Sequence, residues 1–160
     1  MTKKQSAGLL LYRFQHKKFE VLLVHPGGSF WKNKDAGAWS IPKGEFTEEE
    51  DALAAARREV QEELGQSFNG KFTALNPVKL KTGKVVHAWA LEADFNPEKL
   101  VSNEFEMEWP PRSGKKIMIP EVDKSAWLSP AEAREKINPA QADFIDQLLM
   151  IPGIMAKIKK

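Results

Sequence analysis

Apolar positions recur along this chain with two different periods, and their order sketches a fold. Residues 6–14 and 19–25 are apolar, β-prone runs separated by Gln15-His16-Lys17-Lys18, which predicts a hairpin or two neighbouring strands. Val21-Leu22-Leu23-Val24 is apolar without a break, as expected of a strand covered on both faces. His25-Pro26-Gly27-Gly28 ends it in a turn, and His25 reads as a strand-end imidazole without a catalytic role. A polar loop over 29–38 carries Phe30 and Trp31. Trp39-Ser40-Ile41 then alternates as a short strand until Pro42 removes a backbone donor. Further on, residues 71–81 and 84–95 form a second hairpin candidate joined around Thr82-Gly83. Alternation in its second arm sets His87, Trp89 and Leu91 on one face, with Val86, Ala88 and Ala90 on the other. Ala126-Trp127-Leu128 predicts one more short strand.

Between Thr47 and Gly65 the period becomes helical. Thr47 followed three positions later by Glu50 has the form of a capping box, and Glu48, Glu49, Glu50 and Asp51 would place negative charge in a first turn. The residues that follow are good helix formers except Val60, and Gly65 stands where a helix would stop. The spacing predicts a helix over about 48–64, with Leu53, Ala56, Val60 and Leu64 on its buried stripe. Near the C-terminus, Ser129 as N-cap, Pro130 at N1 and Glu132 at N3 start another helix. A last one spans about 139–150, with Phe144, Ile145, Leu148 and Leu149 on one side. Residues 96–120 contain two adjacent prolines and a glycine, and are expected to form a long irregular loop.

The charges on the central helix matter more than its existence. Glu59 and Glu63 are one turn apart, with Glu62 a step further round, so three carboxylates gather at the border of the buried stripe. Such a pair repels, and a divalent cation reverses the sign because clustered carboxylate oxygens suit Mg²⁺ or Mn²⁺. A solvated acidic face with Arg58 and Glu62 as an ordinary i,i+4 pair accounts for the helix alone equally well.

Composition narrows the field. The chain has 160 residues, 42% apolar and 29% charged, which fits one globular domain over residues 1–160. Its formal charge of +2 hides no long basic tract, so duplex nucleic acid is disfavoured as a partner; a homodimer stays open. The absence of cysteine excludes thiol catalysis, disulfides and cysteine zinc sites. No stretch has the form of a signal peptide or a membrane span, and a cytoplasmic location is the default expectation.

The decisive pattern joins loop and helix. Gly44, Glu50, the Arg58-Glu59 pair, Val60, the Glu62-Glu63 pair and Gly65 reproduce the spacing G-x5-E-x7-R-E-U-x-E-E-x-G-U, save that Gln66 holds the final apolar position. Phe68, two residues on, is the candidate to take over its packing. The pattern resembles the Nudix box, and the chain looks like a Nudix hydrolase. Trp39-Ser40-Ile41-Pro42-Lys43-Gly44 is similar to the lead-in of the diadenosine-polyphosphate hydrolase branch. The resemblance implies an α/β fold, an α/β/α sandwich with a mixed sheet between helices. It also implies a pyrophosphohydrolase acting on nucleotide or dinucleotide polyphosphates with Mg²⁺ or Mn²⁺. By the roles of the box, Glu59, Glu62 and Glu63 hold the cation with the Gly44 carbonyl, while Arg58 orients the carboxylates.

A general base outside the box is expected at Glu121, six residues before Trp127 as in the diadenosine branch; Glu104, Glu106 and Glu108 are the alternatives. Lys43 is placed to meet a phosphate, and Arg112, Lys115 and Lys116 suit a polyphosphate chain equally with a merely solvated loop. The tyrosine expected beyond the box in that branch is missing, since Tyr12 is the only one. His87 or Trp89 is the candidate to stack a base in its place, with core packing an equal reading for Trp89. A nucleotide-sensing protein of the same fold that does not cleave is the alternative function; an intact set of Glu59, Glu62 and Glu63 argues against it.

Overall fold

The computed structural model describes residues 4–158. The chain begins with the predicted pair, β1 (Gln5–Gln15) and β2 (Lys18–Pro26), joined antiparallel through Phe14↔Phe19. After a long loop, β3 (Lys43–Phe46) pairs antiparallel with the first residues of β1, and α1 (Ala52–Leu64) follows. Two short strands, β4 (Thr73–Ala74) and β5 (Val78–Lys79), both pair with β6 (Val85–Glu92). Next come β7 (Glu104–Glu108), β8 (Lys116–Pro120) and β9 (Val122–Leu128). Three helices close the chain: α2 (Pro130–Lys136), α3 (Ala142–Leu149) and α4 (Pro152–Ile158).

Seven strands form one sheet in the order β4-β6-β1-β2-β9, with β3 also on β1 and β5 also on β6. β1 and β6 run parallel while the other pairs are antiparallel, so the sheet is mixed. Side-chain alternation divides the core in two. Leu10, Val21, Leu23, Val86, Ala88 and Ala90 face Phe144, Ile145, Leu148 and Ile154 of the C-terminal helices. Ala7, Leu9, Leu11, Leu22, Val24 and Leu91 face Ala56, Val60 and Leu64 of α1. Each fully buried Leu contributes about 1.5–3 kcal/mol, so both faces of the sheet are strongly covered. This is the expected mixed sheet between helices, and Val21–Val24 of β2 is apolar without a break because neither face of that stretch meets water. No helix among the described residues is long and apolar enough to cross a membrane.

Three local expectations change. The helix begins at Ala52, with Asp51 rather than Thr47 as its N-cap. The Asp51 side chain accepts the Ala54 N–H at 3.0 Å, while residues 47–50 form a turn closed by Glu50 N–H to Thr47 O. Glu50 serves no cap because Arg58 engages both of its oxygens. The stretch 96–120 is not irregular: after a 3₁₀ turn at Pro97–Lys99, β7 and β8 make a separate two-stranded hairpin. Its prolines and Gly114 fall in the connecting loop, so they do not interrupt the alternation Glu104-Phe105-Glu106-Met107-Glu108. The last predicted helix opens as a 3₁₀ turn, Pro139–Gln141, before α3. Beyond it Pro152 starts a further helix, α4, consistent with the preference of proline for a first helical turn.

Candidate active site at the first helix

Packing fixes how α1 presents its acids. Ala55, Ala56, Val60 and Leu64 are fully buried against the sheet, and Gly65 closes the helix in the left-handed region at φ 79°. With that stripe held, Glu59 is driven to the sheet edge and is only 9% exposed, while Glu62 and Glu63 are half-buried. Glu59 lies directly against the backbone of Gly44. A Cβ at 44 would overlap its carboxylate, so only glycine allows this approach.

Arg58 ties the acids together. Its Nε and Nη2 donate to the two oxygens of Glu50, each at 2.9 Å. Its Nη1 donates to Glu59 Oε1 at 2.8 Å and to Glu62 Oε1 at 3.3 Å. The planar guanidinium thus fixes three carboxylates at once, which an ammonium would not. Arg58 holds Glu50 below the usual carboxylate range. Burial, by contrast, raises Glu59 despite the same arginine.

Glu63 turns the other way. Its Oε1 accepts the backbone N–H of Lys43 at 3.1 Å. Burial pushes its carboxyl up to about 8, opposed by that N–H and by the charge of Lys43 and reinforced by Glu121 and Glu59. The Lys43 side chain itself leaves β3 on the opposite face from α1. Gly8, its cross-strand partner, would carry a Cβ 2.6 Å from Lys43 Cβ. On that same face Lys84 pairs with Glu45 at 3.2 Å. Burial lowers the Lys43 ammonium, with Glu63 raising it and Lys84 lowering it further.

Glu121 reaches this group through a short ladder of backbone bonds. Asn103 N–H donates to Glu62 O at 2.8 Å, and Glu121 N–H donates to Asn103 O at 2.8 Å. Gly27 N–H donates to Glu121 O at 3.1 Å on the other side. Burial raises the Glu121 carboxyl, with the charge of Glu62 adding to it. Asn103 and Gly27 were not singled out from sequence. Backbone partners of this kind leave no mark on residue type.

The remaining candidates are scattered. His87 bonds Gln5 Oε1 through Nε2 at 2.6 Å and meets Phe46 edge-on, on the α1 face of the sheet. Trp89 is partly buried against the α1-side core. Arg112, Lys115 and Lys116 belong to the far end of the hairpin, four residue steps, or about 14 Å of strand, from its base. There Arg112 N–H donates to Glu108 and Lys116 pairs with Glu106, so those two glutamates have partners of their own. Glu104 is exposed at the base. The structure therefore gathers Glu59, Glu62, Glu63, Glu121 and the Lys43-Gly44 backbone, but not the basic tip.

Among the described residues, no three acidic, imidazole or thiol side chains converge in ligating position. Arg58 holds Glu59 and Glu62 to one side, and the Lys43 amide holds Glu63 to the other. The donor set nevertheless fits a hard divalent cation: several carboxylate oxygens, two of the acids raised by burial and mutual charge, and a glycine backbone pressed against one of them.

Solved structures share this fold. The chain is similar to a Caenorhabditis elegans Ap4A hydrolase binary complex at 21% identity and TM-score 0.62, covering 94% of this chain and 98% of the other. A mutT/nudix family protein from Listeria innocua matches at 16% identity and TM-score 0.64 over 99% of both chains. The NUDIX domain of Shewanella oneidensis NrtR, complexed with ADP ribose, matches at 16% identity and TM-score 0.62, covering 92% and 87%. At these identities the likeness is one of fold. No curated protein gives a significant sequence match. The model of the NUDIX domain matches residues 2–148, nearly the whole chain, and this protein belongs to the NUDIX family.

Proposed function

We propose that this protein is a cation-dependent hydrolase that splits a phosphoanhydride bond of nucleoside polyphosphates by attack of water. Dinucleoside polyphosphates and nucleoside triphosphates are the substrate classes favoured by the Trp39-Ser40-Ile41-Pro42-Lys43-Gly44 lead-in. The observation that carries the reading is the gathering of Glu59, Glu62, Glu63 and Glu121 about the second half of α1, with Gly44 pressed against Glu59. Bound Mg²⁺ or Mn²⁺ would supply charge neutralisation on the phosphates and acidify water enough for attack near neutral pH.

The protein's own groups divide the remaining work. Glu59, Glu62 and Glu63, with the Gly44 carbonyl, would hold the cation, and Arg58 keeps two of the three oriented. Glu121 takes the proton of the attacking water. Its raised pKa suits that task, since a base works best with a pKa near the working pH. Lys43 contributes its backbone N–H, which holds Glu63, while its side chain leaves on the other face of β3 and is not placed for a phosphate at these carboxylates.

Incubation of the pure protein with Mg²⁺ and a panel of nucleotides tests the reading, with products and binding measured separately. Products are expected, and Glu63→Gln should lower kcat by orders of magnitude in a folded protein. Glu121→Gln should cost at least about tenfold. A loss under twofold would move the base to the hairpin glutamates. Tight nucleotide binding without products would make the protein a sensor of the same fold, the kind of role for which engaged carboxylates suffice.

A further inference from the structure

We infer that the loop between β2 and β3 presents an aromatic platform, Phe30 with Trp31, on which the nucleobase of the substrate stacks. The inference rests on the nucleotide reading above and supplies the base contact that reading lacks, since Trp89 packs into the core and His87 is engaged by Gln5 and Phe46.

Phe30 is 60% exposed, yet its loop is firmly held. Its ring meets Trp31 edge to face at 5.0 Å and 88°, and Lys34 Nζ sits 3.5 Å from its centroid on one face. Trp31 N–H donates to Gly28 O and Lys34 N–H to Trp31 O. Lys34 O is in turn bonded by Nε2 of the fully buried His25 at 2.6 Å, whose Nδ1 pairs with Asp123 at 2.9 Å. Asp35 receives Trp39 Nε1 and Lys136 Nζ on the far side of the loop. Such a loop needs no ordering when it meets a ligand, so an aromatic ring kept in water on it is poised for contact.

Its position identifies the ligand. Gly27, three residues before Phe30, donates to the carbonyl of Glu121, and Gly28 packs beside Ile119. Across the hairpin the buried Ile119 pairs with Phe105, which is 38% exposed, so the loop packs on the strand leading to Glu121 through apolar side chains. An exposed ring on a loop bonded to the backbone of the proposed base, with an ammonium on one of its faces, suits a nucleoside whose phosphates reach toward the carboxylates. Stacking of one base is worth about 5- to 150-fold in affinity.

The test compares Phe30→Ala with wild type and with Met150→Ala, a similarly exposed apolar residue at the end of α3. Hydrolysis is measured with ATP and with inorganic tripolyphosphate, which has no base, and binding of a nonhydrolysable ATP analogue is measured by calorimetry. Phe30→Ala should raise KM for ATP and Kd for the analogue at least fivefold, with kcat within about twofold. KM for tripolyphosphate and all Met150→Ala values should stay unchanged. Equal weakening toward both phosphates, or an unaltered Kd for the analogue, overturns the platform. A wild type that binds the analogue through Phe30 but releases no products refutes the hydrolase and leaves the platform standing; one that binds no nucleotide refutes both.

Discussion

The carboxylate of Glu59 occupies the space that any side chain at Gly44 would need. Loop and helix are therefore interlocked through a missing Cβ. Gly44→Ala is expected to displace Glu59 and to lower cation-dependent turnover by about 100-fold, the scale of a 1 Å misplacement at a reacting centre. Kinetics with a nucleotide cleaved by the wild type, alongside circular dichroism, check this. A folded variant with undiminished turnover would separate Glu59 from the chemistry.

Arg58 acts through others rather than on substrate. Arg58→Lys keeps the charge but loses the paired bonds to Glu50 and the reach to Glu59 and Glu62. Affinity for Mg²⁺ or activity should fall by about 10- to 100-fold, as when the supports of metal-binding side chains are removed. Glu50→Gln should reproduce part of the loss, and the double variant should lose less than the sum. Additive losses would show that the Glu50–Arg58 pair does not work as a unit.

The buried acids give stability a pH dependence of definite sign. Glu63 binds its proton up to about pH 8 in the folded protein, against a usual value of 4.5. Between those values the folded state holds more protons than the unfolded one, so stability declines as pH rises through the window. Glu59 and Glu121 are shifted in the same direction. Glu50 is shifted oppositely by Arg58, so its contribution changes only below pH 4.5. In chelator-containing buffer Tm should fall from pH 5 to pH 8.5, and Glu63→Gln should flatten the fall. Mg²⁺ should raise Tm more at pH 8 than at pH 5, because the cation competes with the proton. A level wild-type profile would contradict the burial of Glu63.

A stability test away from the site uses the second helix. Ser129 Oγ accepts the Glu132 N–H at 3.2 Å and Glu132 reaches back to the Ser129 N–H at 3.4 Å, a complete capping box. Ser129→Ala should cost about 1 kcal/mol. For a chain of this size that is a Tm drop of about 2–4 °C, readable by calorimetry. Activity should be unchanged.

Much of the frame was legible residue by residue. The uninterrupted apolar run Val21–Val24 marked the middle of β2 as doubly covered, alternation divided the faces of β6, and Ser129-Pro130-Ala131-Glu132 announced α2, because burial and capping act on side chains at fixed local spacings. The acids of α1 were legible for the same reason, and the box joining them to Gly44 named the family. The true start of α1 was not, because Thr47 and Asp51 both have capping side chains; Arg58, two turns away, withdrew Glu50 and left the cap to Asp51. Nor was the hairpin of β7 and β8, whose alternation was obscured by prolines that belong to its loop. Local sequence thus determined which residues are acidic, apolar or turn-forming and in what order. Tertiary structure alone decided that Glu121 lies beside Glu62, that the Lys43 side chain leaves the face its amide serves, and that the loop carrying the exposed Phe30 is tied through Gly27 to the Glu121 backbone. Those placements depend on backbone bonds and strand register between distant segments, which no side chain records.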